Sequence, residues 1–73
     1  MIHELDTAIL IKDHPYEGLV KGDMGAVVLV PEGGKAYEVE FVTLTGDILG
    51  GLTLTADEVR PISARDVPHV RVA

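Results

Sequence analysis

Glycine and proline divide the chain into apolar segments that are too short to form helices. The longest uninterrupted apolar run is the five residues from Ala26 to Val30, and Pro31 closes it. An amphipathic helix normally needs about ten or more residues of regular apolar spacing. The sequence therefore predicts an all-β domain built from short strands.

Five strands are predicted between these breakers. In the third, apolar residues alternate with Glu38 and Glu40. That period of two is typical of an antiparallel strand with one buried face and one exposed face. The pair Gly50-Gly51 predicts a bulge or a sharp bend in the fourth strand. The predicted strands run from Leu5 to Lys12, Ala26 to Pro31, Tyr37 to Thr43, Ile48 to Leu54 and Arg60 to Ile62.

Three connections carry recognisable turn residues. Residues 13–18 form a long turn in which Pro15 and Gly18 are the breakers. Residues 32–35, Glu-Gly-Gly-Lys, form a hairpin turn whose two glycines are free to adopt positive φ. Residues 55–58 have the pattern of a capped helical start with Thr55 as N-cap, and the following Pro61 limits it to a single 3-10 turn.

These elements predict a small SH3-like barrel of five short antiparallel strands, with a one-turn 3-10 helix before the last strand. An OB-fold is the alternative, but it normally has longer strands and a full helix. A chain of 73 residues has interior for one domain, which we assign to residues 1–63. Residues 64–73 form a C-terminal tail, either a frayed chain end or an arm that adds a strand to a neighbour.

Charge and composition disfavour several classes of function. Twelve acidic residues against six basic ones give a net charge of −6, which repels a phosphate backbone. Without cysteine there is no disulfide, thiolate zinc site or nucleophilic thiol. The three histidines, His3, His14 and His69, lack the spacing of a metal-ligand pair. We expect no metal, cofactor or small-molecule ligand.

The N-terminal residues do not resemble a secretory signal, since residues 1–6 include Glu4 and Asp6 but no lysine or arginine. No apolar run is long enough to span a bilayer. We therefore expect a cytoplasmic protein that does not bind membranes.

Short motifs in a fixed order carry a resemblance to a known family. They are LDT at 5–7, DHPYEGL at 13–19, KGDMGAVV at 21–28, YEVEFV at 37–42, LTL at 52–54 and VRP at 59–61. In this order they resemble the bacterial family called domain of unknown function 4926. The resemblance implies a small β protein with an SH3-like barrel, and it brings no established activity, cofactor or catalytic residue.

The segment from Lys21 to Val27 is also similar to the glycine-spaced turn of KOW-type SH3-like domains, many of which contact RNA or ribosomal protein. Glycine at Gly22 and Gly25 allows a tight turn into a strand in any β-arch, so the spacing has a structural explanation. Binders of single-stranded nucleic acid need a basic groove with stacking aromatics, and the chain has six scattered cations and no tryptophan.

No catalytic constellation is visible. Glu38 and Glu40 project from one face of a strand at roughly 6.5–7 Å, but alternate glutamates on an exposed face usually keep a sheet soluble. Ser63 is the only serine, and no hydroxyl, imidazole and carboxylate triad follows from the spacing. Turn and cap roles account for Asp6, Asp13 and Asp23. We expect no enzymatic activity.

The surplus of aliphatic residues is the strongest functional signal. A core made from Ala8, Leu10, Val27, Leu29, Val39, Phe41, Leu52, Leu54, Val59 and Ile62 leaves other aliphatics on neighbouring strands, where they form an interface or are covered by a loop or the tail. Together with the two strand glutamates, the predicted interaction residues are Ile9, Ile11, Leu19, Val28, Val30, Glu38, Glu40 and Val42.

The sequence thus predicts a non-enzymatic protein-interaction module that binds a protein partner or associates with itself. Its acidity suits a basic partner, and an antitoxin or immunity protein is one form of this hypothesis. The alternatives are a KOW-like nucleic-acid or ribosome-associated module, and a small accessory subunit of a larger enzyme, which follows from fold analogy alone.

Overall fold

A computed structural model describes residues 2–31 and 33–73 of the chain. Its five strands form a single antiparallel sheet in the spatial order β4-β3-β2-β1-β5. The first four strands follow one another as neighbours, and the fifth returns to pair with β1. The strands are β1 (Thr7–Leu10), β2 (Met24–Leu29), β3 (Ala36–Val42), β4 (Ile48–Thr55) and β5 (Val59–Pro61).

The predicted all-β class and the five antiparallel strands are confirmed. The sheet is open, with β4 and β5 as its two edge strands. Each observed strand lies within a few residues of its predicted position, and the predicted first strand is longer than the observed one because its ends enter turns. Met1 of the predicted domain and Glu32 of the predicted hairpin lie outside the described residues; Gly33 and Gly34 have the expected positive φ values of 94° and 62°.

The 3-10 turn lies at Pro15–Glu17, between β1 and β2, and its predicted position before the last strand is wrong. Proline at the first position sets φ for the turn, and Gly18 ends it with a left-handed φ of 71°. Residues 55–58 instead make one hydrogen-bonded turn, in which the Glu58 amide donates to the Thr55 carbonyl oxygen at 3.0 Å. The Glu58 carboxylate accepts hydrogen bonds from the Thr55 amide and hydroxyl, so in this turn Glu58 caps the Thr55 amide and the predicted N-cap role of Thr55 is not the one observed.

The core lies on one face of the sheet, which we call the inner face. Val27 of β2 is opposite Val39 of β3, and Tyr37 is opposite Leu54 of β4. Most residues predicted to face inward are buried, and three unpredicted ones join them. The buried core consists of Ile2, Ala8, Leu10, Leu19, Val27, Tyr37, Val39, Phe41, Leu54 and Val59, with Val30 and Leu52 packed against it.

The predicted inward positions of Leu29 and Ile62 are wrong, since both are about half exposed. A bulge in β2 explains Leu29. Val27 pairs with Val39, but Leu29 pairs with Glu38, so Val28 is an extra residue. The extra residue reverses the alternation, which turns Leu29 away from the core and brings Val30 towards it. Ile62 follows the end of β5 and leaves the sheet there.

A second bulge lies in β4, where the glycine pair predicted one. Phe41 is opposite Gly50 and Val42 is opposite Ile48, so Leu49 is the extra residue. Gly50 has a φ of 155°, which L side chains rarely adopt. The predicted bulge is therefore confirmed, and the glycine that it requires is Gly50.

Candidate protein-interaction surface

The face of the sheet opposite the core, the outer face, carries a stripe of apolar side chains. Ile9 of β1 is opposite Met24 of β2, and Val42 of β3 is opposite Ile48 of β4. Ile9 is buried although it lies outside the core cluster. Met24, Val42 and Ile48 are 44%, 49% and 68% exposed. These four residues, the apolar stripe, cross the outer face from β1 to the β4 edge.

Two carboxylates continue the outer face beyond the stripe. Glu40 lies opposite Ala26 and Gly51, and Glu38 lies opposite Leu29 and Thr53. Both glutamates are half-buried. The Thr53 hydroxyl donates a hydrogen bond to Glu38, which fixes that carboxylate against β4. The outer face therefore combines an apolar stripe with an acidic end.

The structure divides the residues predicted to form the interaction surface into two groups. Ile9, Glu38, Glu40 and Val42 lie together on the outer face. Leu19 is buried in the core and is not available to a partner, and Val30 is partly buried against the core. Ile11 is half-buried just after β1. Val28, the extra residue of the β2 bulge, is 49% exposed.

Sequence reasoning missed Met24 and Ile48 as members of the stripe. Ile48 begins the predicted fourth strand, whereas Met24 lies two residues before the predicted second strand. Sequence reasoning also missed the contacts of the C-terminal tail. The Arg60 guanidinium donates two hydrogen bonds to Asp66, at 2.9 and 2.7 Å. Arg71 donates two to the carboxylate of Asp23, at 2.8 and 2.6 Å. The second pair joins residues far apart in the chain, for which no local sequence pattern exists.

These contacts lower the pKa values of the acids that they join. The Arg60 guanidinium holds the pKa of Asp66 far below its ordinary value, and the Arg71 guanidinium lowers the pKa of Asp23. A third cation, Lys12, pairs with Asp57 at 3.4 Å. Within residues 2–31 and 33–73, three of the six lysines and arginines therefore pair with acids of the same chain.

The aspartates near the first loop have structural partners. Asp13 accepts a hydrogen bond from the Lys21 amide at 2.8 Å, and Asp23 accepts one from the Val20 amide at 2.9 Å. Asp6 accepts one from the amide of His3 at 2.8 Å. Among residues 2–31 and 33–73 no group of three His, Cys, Asp or Glu residues is placed to hold a metal ion.

In the described part of the chain no helix is long and apolar enough to cross a membrane.

Comparison with known proteins defines the family of the chain. No curated protein and no solved structure is significantly similar to the chain. One family model matches, and it covers residues 4–61, which include all five strands and both carboxylates of the outer face but not the tail. The chain therefore belongs to the family described as Domain of unknown function (DUF4926).

Proposed function

We propose that the protein is a non-enzymatic interaction module that binds a basic protein partner through the outer face of its sheet. The observation that carries this proposal is the juxtaposition of the exposed part of the apolar stripe with the half-buried Glu38 and Glu40. Interfaces between proteins commonly combine an apolar centre with a polar or charged rim.

The apolar part of the surface is larger than isolated exposed residues would produce. Met24, Val42 and Ile48 lie side by side across three strands. Leu44, in the turn after β3, is 93% exposed, and Leu49 of the β4 bulge is 39% exposed. Contiguous aliphatic surface of this kind is typical of a site that is covered by a partner.

Charge favours a basic partner over a second copy of the chain. The net charge is −6, and three cations are already paired internally. Two copies joined face to face with their acidic ends aligned would bring Glu38 and Glu40 of one copy towards those of the other. Like charges placed opposite each other cost several kcal/mol, whereas a basic surface would be attracted and guided to the site.

An inhibitor or immunity protein that covers the nucleic-acid site of a basic nuclease is one specific form of this function. Such a site already carries the basic, partly apolar surface that this outer face would complement. The same charge argues against direct binding of RNA, because Glu38 and Glu40 would repel phosphate.

The test compares two variants with the same change in net charge. Glu38→Lys with Glu40→Lys reverses the acidic end of the outer face. Glu4→Lys with Glu17→Lys places the same charges in turns outside the sheet. Each tagged full-length variant is used to capture partners from the native lysate, and the affinity for the captured protein is then measured.

We expect the unmodified chain to retain a basic protein in stoichiometric amount. The outer-face variant should bind that protein about 100-fold or more weakly, because two attractive contacts become repulsive. The turn variant should lose only the part of the affinity that depends on net charge, and this part should vanish at high salt. Equal loss in both variants at high salt would contradict the proposal, and so would capture of nucleic acid alone.

A further inference from the structure

The C-terminal tail, residues 64–73, lies against the domain but does not pack into it. Two arginine–aspartate pairs hold it, Arg60 with Asp66 near its start and Arg71 with Asp23 near its end. Its valines contribute little to the attachment: Val67, Val70 and Val72 are 80%, 77% and 96% exposed. The tail is therefore attached by charge, with few buried apolar contacts.

Two open cavities lie between the tail and the domain. One, of about 380 Å³, is bounded by Ile9, Met24 and the first half of the tail. The other, of about 390 Å³, is bounded by Met24, Val42 and Leu44 on one side and the second half of the tail on the other. The tail thus covers part of the apolar stripe and leaves the space above it unfilled.

The acceptor of the Arg71 guanidinium is built entirely from the domain. Asp23 supplies both carboxylate oxygens, and the Gly18 carbonyl oxygen accepts a further hydrogen bond at 3.0 Å. With Arg71 in place, the Asp23 side chain is only 15% exposed. Its carboxylate also accepts the Val20 amide, which holds it in place independently of the tail.

Both acceptor residues lie within the part of the chain that the family model matches, whereas the tail lies outside it. The matched domain therefore contains a set of hydrogen-bond acceptors that fits a guanidinium and to which the tail contributes no acceptor atom. A carboxylate that accepts two parallel N–H bonds, with a third acceptor beside it, suits the fork of a guanidinium better than the single ammonium of lysine.

We propose that Asp23 and the Gly18 carbonyl form a recognition site for an arginine in an extended segment of the basic partner, and that Arg71 occupies this site in cis until the partner displaces it. This inference rests on the proposed function and names the chemistry of the partner segment. The partner's flanking apolar side chains would fill the cavity beside Met24, Val42 and Leu44, which the tail leaves open.

Displacement is energetically accessible because the guanidinium end of the pair keeps contact with solvent, the Arg71 side chain being 34% exposed. Ion pairs that keep a solvent contact contribute little, and the ordered tail loses conformational freedom when it is held. A partner segment that provides the same arginine and also buries apolar surface gains more than the tail does. The tail then acts as a weak internal competitor that raises the affinity required of a partner.

The test uses a synthetic acetylated peptide with the sequence of residues 67–73, VPHVRVA, as the probe. The receptor is the full-length chain carrying Arg71→Ala, which leaves its own tail without the competing guanidinium. Binding is followed through the backbone amide signals of Gly18, Asp23 and Met24 in a two-dimensional NMR titration. A second peptide with lysine in place of the arginine serves as the matched control.

We expect the arginine peptide to shift these signals in the Arg71→Ala chain. It should bind the unmodified chain at least about fivefold more weakly, because the tethered Arg71 competes at an effective concentration in the millimolar range. The lysine peptide should bind the Arg71→Ala chain at least about fivefold more weakly than the arginine peptide. Adding Asp23→Asn to that chain should abolish the difference between the two peptides.

Equal binding of the arginine and lysine peptides to the Arg71→Ala chain would overturn the arginine site, and this comparison uses one folded protein throughout. A dimer of the unmodified chain that dissociates on Arg71→Ala would overturn the cis arrangement, because the tail would then occupy a second copy. The titration needs no partner. A lysate that yields no basic protein would therefore contradict the proposed function while leaving the arginine site intact.

Discussion

At the scale of single residues, Gly25 shows how closely the strands approach one another on the inner face. The residue is buried in β2, opposite Ala8. A Cβ atom at this position would lie 2.6 Å from Val39 Cγ1 and 2.8 Å from the Glu40 carbonyl oxygen. The backbone oxygen cannot move without disturbing the β2–β3 ladder, so the space admits hydrogen only.

Gly25→Ala should therefore lower the free energy of unfolding by about 1–3 kcal/mol, the usual cost of overpacking. Gly51→Ala is the matched control, because its Cβ would meet only the Val39 carbonyl oxygen at 3.8 Å, an ordinary contact. Urea denaturation of the two variants gives the comparison. Equal stability of both variants would show that the space between β2 and β3 admits a Cβ atom at position 25.

From the sequence, Gly22 and Gly25 are both predicted to be glycines of one tight turn. In the structure they have different roles. Gly22 has a left-handed φ of 96°, as a turn glycine does. Gly25 is required by contacts with Val39 and Phe41 on the neighbouring strand. Such a contact depends on register between distant parts of the chain, which spacing within one segment does not reveal.

At the scale of elements, the turn between β4 and β5 holds the loop that follows β1. Glu58 is the central residue: its carboxylate accepts hydrogen bonds from the Thr55 amide at 2.9 Å and hydroxyl at 2.8 Å. Its other carboxylate oxygen lies 3.2 Å from His14 Nε2, and its backbone oxygen accepts the Ile11 amide at 2.9 Å. The hydrogen bonds from Thr55 lower the pKa of Glu58.

Glu58→Ala should reduce the free energy of unfolding by about 1 kcal/mol at pH 7, in the range of a lost helix or turn cap. Because folding lowers the pKa of Glu58, its contribution is fully present above the ordinary glutamate value of 4.5 and is lost as the pH falls through the lowered value. The stability difference between the unmodified chain and the variant should therefore narrow in acid. Urea denaturation at pH 7 and pH 3 measures it.

Glu17→Ala is the control for this prediction, since Glu17 is an exposed glutamate in the 3-10 turn that follows His14. It should leave stability at pH 7 nearly unchanged. The Glu58→Ala variant and the unmodified chain differ in their free energy of unfolding. If this difference were the same at pH 7 and pH 3, the role assigned to the ionised carboxylate would be contradicted.

Strand positions were predictable where apolar and polar residues alternate, as in β3. Where they do not alternate, the sequence did not show which face of the sheet each side chain occupies. Residues 26–30 are all apolar, so no polar residue marks the bulge at Val28 or the face that Leu29 occupies. The acidic end of the outer face was predictable from Glu38 and Glu40. The Asp23 site was not, because its partner Arg71 is distant in sequence and the ion pair leaves no periodic signal.

At the scale of the whole molecule, the chain presents one face of its sheet to its own core and the other to solvent and the tail. The inner face accounts for the stability expected of a small domain. The outer face carries exposed aliphatics and half-buried glutamates that lie outside the core. The net charge of −6 adds attraction for a basic protein over distances of about a Debye length, roughly 8–10 Å at physiological salt.

The most direct measurement is site-specific photo-cross-linking in the native cell. A photoreactive phenylalanine analogue replaces Val42 in the apolar stripe, or Tyr16 as the control, which is fully exposed in the 3-10 turn. We expect a discrete adduct with a basic protein from position 42 and none from position 16. Adducts of equal yield from both positions, or an adduct with a second copy of the chain alone, would contradict this expectation.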